Sequence, residues 1–178
     1  MAARLLAISG SLRAASINTA ALEALALVAP EDVEVIVYRD LGRLPAFNPD
    51  EDEEGRLPPE VEALRTLVRQ SDGVAIAAPE YAHGVPGALK NALDWLVASD
   101  AVPGKPFVLL NAAPRAFHAQ SALRETLATM SARLVPEAFV TLPLAGRAID
   151  ARQIIGDPRL ARALREGLET FLSMVGPS

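Results

Sequence analysis

Residues 4–18 read Arg4-Leu5-Leu6-Ala7-Ile8-Ser9-Gly10-Ser11-Leu12-Arg13-Ala14-Ala15-Ser16-Ile17-Asn18. The apolar run from Leu5 to Ile8 stops at a Ser/Gly turn and passes directly into an Ala/Leu-rich helical pattern. A strand apolar at every position is one buried on both faces, as in a parallel sheet covered by helices. The turn carries three serine hydroxyls, an arginine and an asparagine within ten residues. There the unsatisfied N–H groups and the positive end of the helix dipole favour an anion, and the planar fork of Arg13 suits a phosphate dianion. The same residues are also ordinary helix-capping types, so Ser11 or Ser16 can equally be an N-cap that holds no ligand. Glycine-cradle motifs are excluded here. No G-x-x-x-x-G-K-[ST] is present, and Leu12 and Ala15 stand where G-x-G-x-x-G needs its second and third glycines. A single monophosphate held by hydroxyls fits the turn better.

Working outward, strand patterns recur at 4–9, 33–38, 73–78, 107–111 and, more weakly, 139–142. Helical patterns fill 17–28, 59–70, 86–98, 120–132 and 158–175. Five βα units of this kind predict a single α/β domain over 1–178. The expected fold is a flavodoxin-like, three-layer doubly wound one with a five-stranded parallel sheet in the order 2-1-3-4-5. Ala21, Leu22, Leu25 and Val28 form the inner face of the first helix, and Val61, Leu64 and Leu67/Val68 that of the second. The connection 39–58 contains Pro45, Pro49, Pro58 and the acidic run Asp50-Glu51-Asp52-Glu53-Glu54. It reads as a solvated, mobile loop, with a cation site or a docking patch as the alternatives and a lid role left open by its place near the ligand edge.

With 178 residues and 51% hydrophobic content the chain can bury one substantial core. A formal charge of -5 and the absence of a basic, aromatic-rich run give no reason to expect nucleic acid as a partner. There is no cysteine, which removes disulfides, thiol nucleophiles and thiolate metal sites. No membrane-length apolar stretch or leader pattern stands out, so a cytoplasmic, untargeted protein with no membrane partner is expected.

The most distinctive segment follows the third strand: Ala78-Pro79-Glu80-Tyr81-Ala82-His83-Gly84-Val85-Pro86-Gly87-Ala88-Leu89-Lys90-Asn91-Ala92-Leu93-Asp94-Trp95-Leu96. Pro79 ends a strand, Gly84 and Gly87 permit close backbone approach, and Pro86 opens a helix. A rigid loop at a strand's carboxyl end beside a phosphate turn is suited to holding a flat ring.

With these two segments the chain resembles the NADPH-dependent FMN reductase family. Gly10, Ser11, Arg13, Ser16 and Asn18 match its G-S-x-R-x-x-S-x-N turn. Pro79, Glu80, Tyr81, Pro86, Gly87, Leu89, Lys90, Asn91, Ala92, Asp94 and Trp95 match its P-E-Y-N-x-x-x-P-G-x-L-K-N-A-x-D-W segment. The resemblance implies an FMN whose phosphate is bound by Ser11, Arg13, Ser16 and Asn18, with Ile17 in the same cofactor-binding turn. It places the isoalloxazine against the backbone of Pro79, Glu80, Tyr81 and Ala82. It further implies a homodimer or homotetramer and an NAD(P)H-dependent oxidoreductase. NADPH or NADH reduces the FMN, which passes its electrons to a quinone, a free flavin or a similar small-molecule acceptor. No catalytic acid or base and no metal is assigned. A flavodoxin-like electron carrier without nicotinamide activity, and a relative that has lost flavin, are the alternatives.

The sequence departs from the family pattern in two places. Ala82 replaces the asparagine after P-E-Y. After the fourth strand, where the family usually has a glycine-rich turn, the chain reads 111–120 as Asn-Ala-Ala-Pro-Arg-Ala-Phe-His-Ala-Gln. Two readings follow. In one, Arg115 lies beside the flavin or a dinucleotide phosphate, with Phe117 as a stacking wall; in the plainer one, Arg115 is solvated and Phe117 is core. His83 reads as a solvent-facing loop residue. Lys90 and Asp94 read as an i,i+4 pair, and Leu89, Ala92/Leu93 and Leu96 as core or subunit contact.

Overall fold

The computed structural model describes residues 3–53 and 56–175. Six strands form one sheet: β1 (Ala3–Ser9), β2 (Val33–Tyr38), β3 (Gly73–Ala77), β4 (Pro106–Asn111), β5 (Arg133–Leu134) and β6 (Val140–Thr141). All pairings are parallel, in the order β2-β1-β3-β4-β5, and β6 pairs with β4. The helices are α1 (Ile17–Val28), α2 (Pro59–Gln70), α3 (Gly87–Leu96), α4 (Phe117–Thr129), α5 (Ala151–Gly156) and α6 (Pro158–Val175). This is the doubly wound, flavodoxin-like arrangement expected from the sequence.

Alternate residues of the central strands supply two separate cores, as the two-residue period of a strand requires. Leu5, Ala7, Ala75, Ala77, Val108 and Leu110 pack with α1, α5 and α6. Leu6, Ile8, Val74, Ile76, Phe107 and Leu109 pack with α2, α3 and α4. Leu89, Ala92, Leu93 and Leu96 are at most 1% exposed, so they are core of the single chain, not a contact surface.

Three elements differ from the sequence expectation. The fifth strand is split: β5 and β6 are two residues each, separated by a 3₁₀ turn at Pro136–Ala138. Pro136 has no N–H for the ladder, so pairing lapses there and resumes at Val140 opposite Leu110. Helix α6 lies so close to this edge that a Cβ on Gly167 would sit 2.3 Å from Val140 Cγ2. Helix α4 starts at Phe117, earlier than its periodicity indicates. Helix α5 was not expected, although a D-x-x-Q capping box marks its start. Gln153 N–H donates to Asp150 Oδ1 (2.8 Å) and Asp150 N–H to Gln153 Oε1 (2.9 Å).

The described residues of the connection 39–58 are exposed in part, as at Asp50 and Glu53, but the segment is also anchored at points its composition does not indicate. Arg65 and Asp52, side chains 9% and 10% exposed, form an ion pair at 2.7 Å, and Arg65 Nε also donates to the Trp95 carbonyl (2.9 Å). Asn91 Nδ2 and Trp95 Nε1 both donate to the Pro45 carbonyl, at 2.8 and 2.9 Å. Phe47 N–H donates to Asn91 Oδ1 (2.8 Å), and the Phe47 ring meets the Trp95 ring edge-on at 5.0 Å. Proline and acidic content signal solvation only where nothing nearby offers partners. Here α2 and α3 offer them, so Asn91 and Trp95 hold a long strap. Glu54, the last of the acidic run, lies outside the described residues.

Candidate active site

The turn after β1 is packed before it is polar. Gly10 N–H donates to the Ala77 carbonyl (2.8 Å), and a Cβ on Gly10 would lie 3.0 Å from both Ala78 Cβ and Leu89 Cδ2. Any side chain there would have to displace Ala78 or the end of Leu89, so glycine suits the close approach of β1 to β3 and α3. Beyond it the hydroxyls are ordered by local bonds. Thr19 Oγ1 donates to Ser9 Oγ (2.8 Å), Ser11 N–H to Ser9 Oγ (3.3 Å), and Arg13 N–H to Ser11 Oγ (3.3 Å). Ser16 is the N-cap of α1 and accepts from Thr19 N–H (3.3 Å). The capping reading is therefore correct for Ser16, and the cap leaves the turn able to take an anion. Each serine hydroxyl keeps its own proton to donate, and the first amides of α1, at Ile17 and Asn18, have no intrahelical acceptor. Ser16 and Asn18 are buried, 8% and 5% exposed, so their orientation is fixed by packing.

The second loop is a two-residue turn. Tyr81 and Gly84 exchange backbone bonds (2.9 and 3.2 Å), and Ala82 and His83 between them have φ of 47° and 59°. Both central residues are left-handed, the primed geometry that Asn and Gly adopt most easily. Alanine there costs about 1 kcal/mol or more. The asparagine usual at this position is therefore a backbone choice as well as a polar one. Glu80 turns inward from the loop, and its Oε2 accepts from Ala119 N–H (3.0 Å). Ala116, at the N-cap of α4, has no capping side chain, so Glu80 supplies that cap from another loop. His83 stacks on His118 (centroids 4.3 Å apart, planes 15°), which in turn meets Phe117 at 3.9 Å. His83 is exposed but stacked, which its sequence context does not indicate.

These loops border one cleft of about 630 Å³ at the carboxyl end of the sheet, within the usual size range of a ligand site. Ser11, Arg13, Ser16, Ile17, Asn18, Pro79, Glu80 and Tyr81 all line it. Ala82 is at the tip of its turn and does not. Arg115 lines the cleft beside Ala113 and Ala116, while Phe117 is 61% exposed. The plainer reading, a core Phe117, is thus incorrect. The segment 111–117 needs no glycine. Asn111 Oδ1 accepts from Ala113 N–H (3.0 Å), Ala116 N–H donates to the Ala113 carbonyl (2.8 Å), and no residue in it has a positive φ.

The sequence reading missed Gly146, Arg147 and Ala148, which close the cleft from the loop after β6. Gly146 turns this loop at φ 76°. Arg13, Arg115 and Arg147 have no ion-pair partner among the described residues. Three unpaired guanidiniums and one carboxylate, itself engaged at α4, make this a site for a ligand with more than one negative charge.

Residues 3–146 match the pattern of the NADPH-dependent FMN reductase family. The chain belongs to that family. It is 36% identical over 174 residues to an NAD(P)H-dependent FMN reductase of Pseudomonas aeruginosa, covering 94% of this chain and 92% of that protein. Over 102 residues it is 40% identical to the quinone reductase of Escherichia coli K12, 56% of this chain and 54% of that protein. Among solved structures it resembles FerB of Paracoccus denitrificans, a flavoenzyme NAD(P)H:(acceptor) oxidoreductase. There the TM-score is 0.77 at 25% identity, with 97% of each chain covered. Family membership carries FMN as cofactor and NAD(P)H as reductant, the pairing expected from the sequence. The donors fit that cofactor: hydroxyls, helix amides and a guanidinium converge at the turn, and a flat-sided loop faces them across the cleft.

Proposed function

We propose that the whole chain acts as one FMN-dependent NAD(P)H oxidoreductase domain whose second substrate is a quinone, a free flavin or a similar small acceptor. The observation that carries this reading is the meeting of the serine-arginine turn, the Pro79–Tyr81 loop and two further arginines around a single cleft. Ser11, Ser16 and the amides of Ile17 and Asn18 donate to the phosphate, and Arg13 neutralises it. The Pro79-Glu80-Tyr81 backbone supports the ring and is held in place by the Glu80 bond to α4. Arg115 and Arg147 meet the negative charge of the nicotinamide dinucleotide. When bound, FMN supplies the redox chemistry, taking hydride from the nicotinamide and passing electrons on. No side chain is required as a general acid or base, and His83 and His118 are engaged with each other.

Exposed Phe117, 61% accessible, and the His83–His118 stack form an aromatic ridge, and Tyr81, 55% accessible, lines the cleft from the same turn as His83. Such a ridge supports association of two copies at this end of the sheet. The lack of cysteine fits a reducing, cytoplasmic setting. Among the described residues no helix is long and apolar enough to cross a membrane.

The test is a visible spectrum of the purified protein with and without added FMN, followed by NADPH oxidation with and without a quinone. A flavin spectrum and quinone-stimulated oxidation are expected. Protein that stays colourless after incubation with FMN overturns the proposal.

A further inference from the structure

We propose that the electron acceptor taken by this cleft carries its own negative charge, as a quinone bearing a carboxylate or sulfonate does, and that Arg115 and Arg147 select it over a neutral quinone. The inference rests on the oxidoreductase reading above and narrows its acceptor. Both guanidiniums stand on closed turns. Ala116 N–H donates to the Ala113 carbonyl (2.8 Å), which places Arg115 in a four-residue turn with Pro114 at its second position. Arg147 N–H donates to the Leu144 carbonyl (3.0 Å) across Gly146, whose φ is 76°. Leu144 is fully buried, and its own N–H donates to the Ala112 carbonyl (3.2 Å). The two turns are thus tied to each other, and they follow the neighbouring strands β4 and β6. Their backbones are set before a ligand arrives, so less freedom is lost on binding.

The cleft is one space of about 630 Å³, the size of a single ligand site. With the cofactor in it, the dinucleotide and the acceptor use the remaining room in turn. The cations that receive the dinucleotide stay in place when it leaves. Among the described residues Glu80 is the one carboxylate lining the cleft, and it is engaged with Ala119 N–H (3.0 Å). Neither Arg115 nor Arg147 has an ion-pair partner among the described residues. An acceptor therefore meets two guanidiniums with no internal counter-charge, whereas the chain as a whole has a formal charge of -5. An anion is drawn to the cleft and repelled from the rest of the surface. A neutral quinone offers the same ring and leaves both cations unanswered. The overall step balances: NAD(P)H gives a hydride, a proton comes from solvent, and the quinone leaves as the hydroquinone with its carboxylate or sulfonate unchanged.

Titration calorimetry on the FMN-loaded protein compares naphthalenesulfonate with naphthalenesulfonamide, a neutral ring of the same size; neither is reduced. At low ionic strength the sulfonate is expected to bind at least about tenfold more tightly. That preference should shrink at high salt, because both arginines are exposed. Arg115→Gln and Arg147→Gln alter exposed side chains and leave the backbone bonds of their turns intact, and each is expected to lower the preference several-fold. Steady-state rates at saturating NADPH give a second readout, with naphthoquinone sulfonate against unsubstituted naphthoquinone. The sulfonate-to-neutral ratio of kcat/KM should fall about tenfold in the double variant. Comparing that ratio with wild type cancels the difference in reduction potential between the two quinones. Equal affinity for sulfonate and sulfonamide, or an unchanged ratio in a double variant that still reduces both quinones, overturns the inference and leaves the oxidoreductase reading standing. Protein that takes up no FMN, or that reduces neither quinone, overturns both.

Discussion

The two ends of the sheet carry clefts of similar size, about 630 Å³ at the carboxyl end and about 560 Å³ at the amino end. They differ in how their charges are used. At the amino end Arg69 pairs with Asp100 (3.1 Å), and Asp72 Oδ2 accepts from Arg4 N–H (2.7 Å). Lys105 Nζ donates to the Ser71 carbonyl, where it caps the end of α2. Burial lowers the pKa of that lysine, with Asp72 opposing the shift. At the carboxyl end Arg13, Arg115 and Arg147 face the cleft unpaired. Cavity size therefore does not distinguish a binding site from a structural recess; charge left without an internal partner does.

The comparison breaks most decisively at Arg13. Arg13→Ala is expected to weaken FMN about tenfold to a hundredfold by flavin-fluorescence titration, while Arg69→Ala leaves FMN affinity unchanged. Equal losses from both would erase the distinction between the ends. Next in size, Arg115→Ala and Arg147→Ala should each raise the KM for NADPH several-fold with kcat nearly constant, because they supply binding and not chemistry. The gap from wild type should narrow at high salt. A fall in kcat at unchanged KM would instead place them at the reacting ring.

Smaller effects sharpen the picture within the carboxyl end. Ala82→Gly relieves a left-handed alanine and is expected to raise stability by up to about 1 kcal/mol in denaturant melts. No gain would show that the turn is unstrained. The smallest effect at neutral pH belongs to Tyr38, at the end of β2. Its hydroxyl is buried without a partner, and its pKa is pushed up to about 12 by burial, with Asp40 and Glu60 adding to the rise. The raised value means the folded state prefers the neutral phenol. That contribution is complete below pH about 10, the unfolded value, and is lost as pH rises through about 12. Tyr38→Phe should flatten this alkaline decline and change neutral stability by only a few tenths of a kcal/mol. A decline as steep as wild type would assign it to other groups.

Local signals in the sequence determined the alternating strands and helices of the layered fold, the polar turn at 9–18 and the rigid loop at 79–86. Each is written in consecutive residues whose periodicity and turn chemistry act over a few positions. The capping box at Asp150 and Gln153 was equally local, but a helix of only six residues is too short to show a period. Tertiary structure alone decided the rest. Arg147 reaches the cleft because the chain beyond β6 folds back over the carboxyl end of the sheet. Glu80 finds its partner thirty-nine residues away in α4, and Asp52 is shielded by its pairing with Arg65, itself bonded to the Trp95 carbonyl. These depend on which elements come together in space. That is set by the packing of two apolar faces against one sheet, and spacing along the chain does not record it.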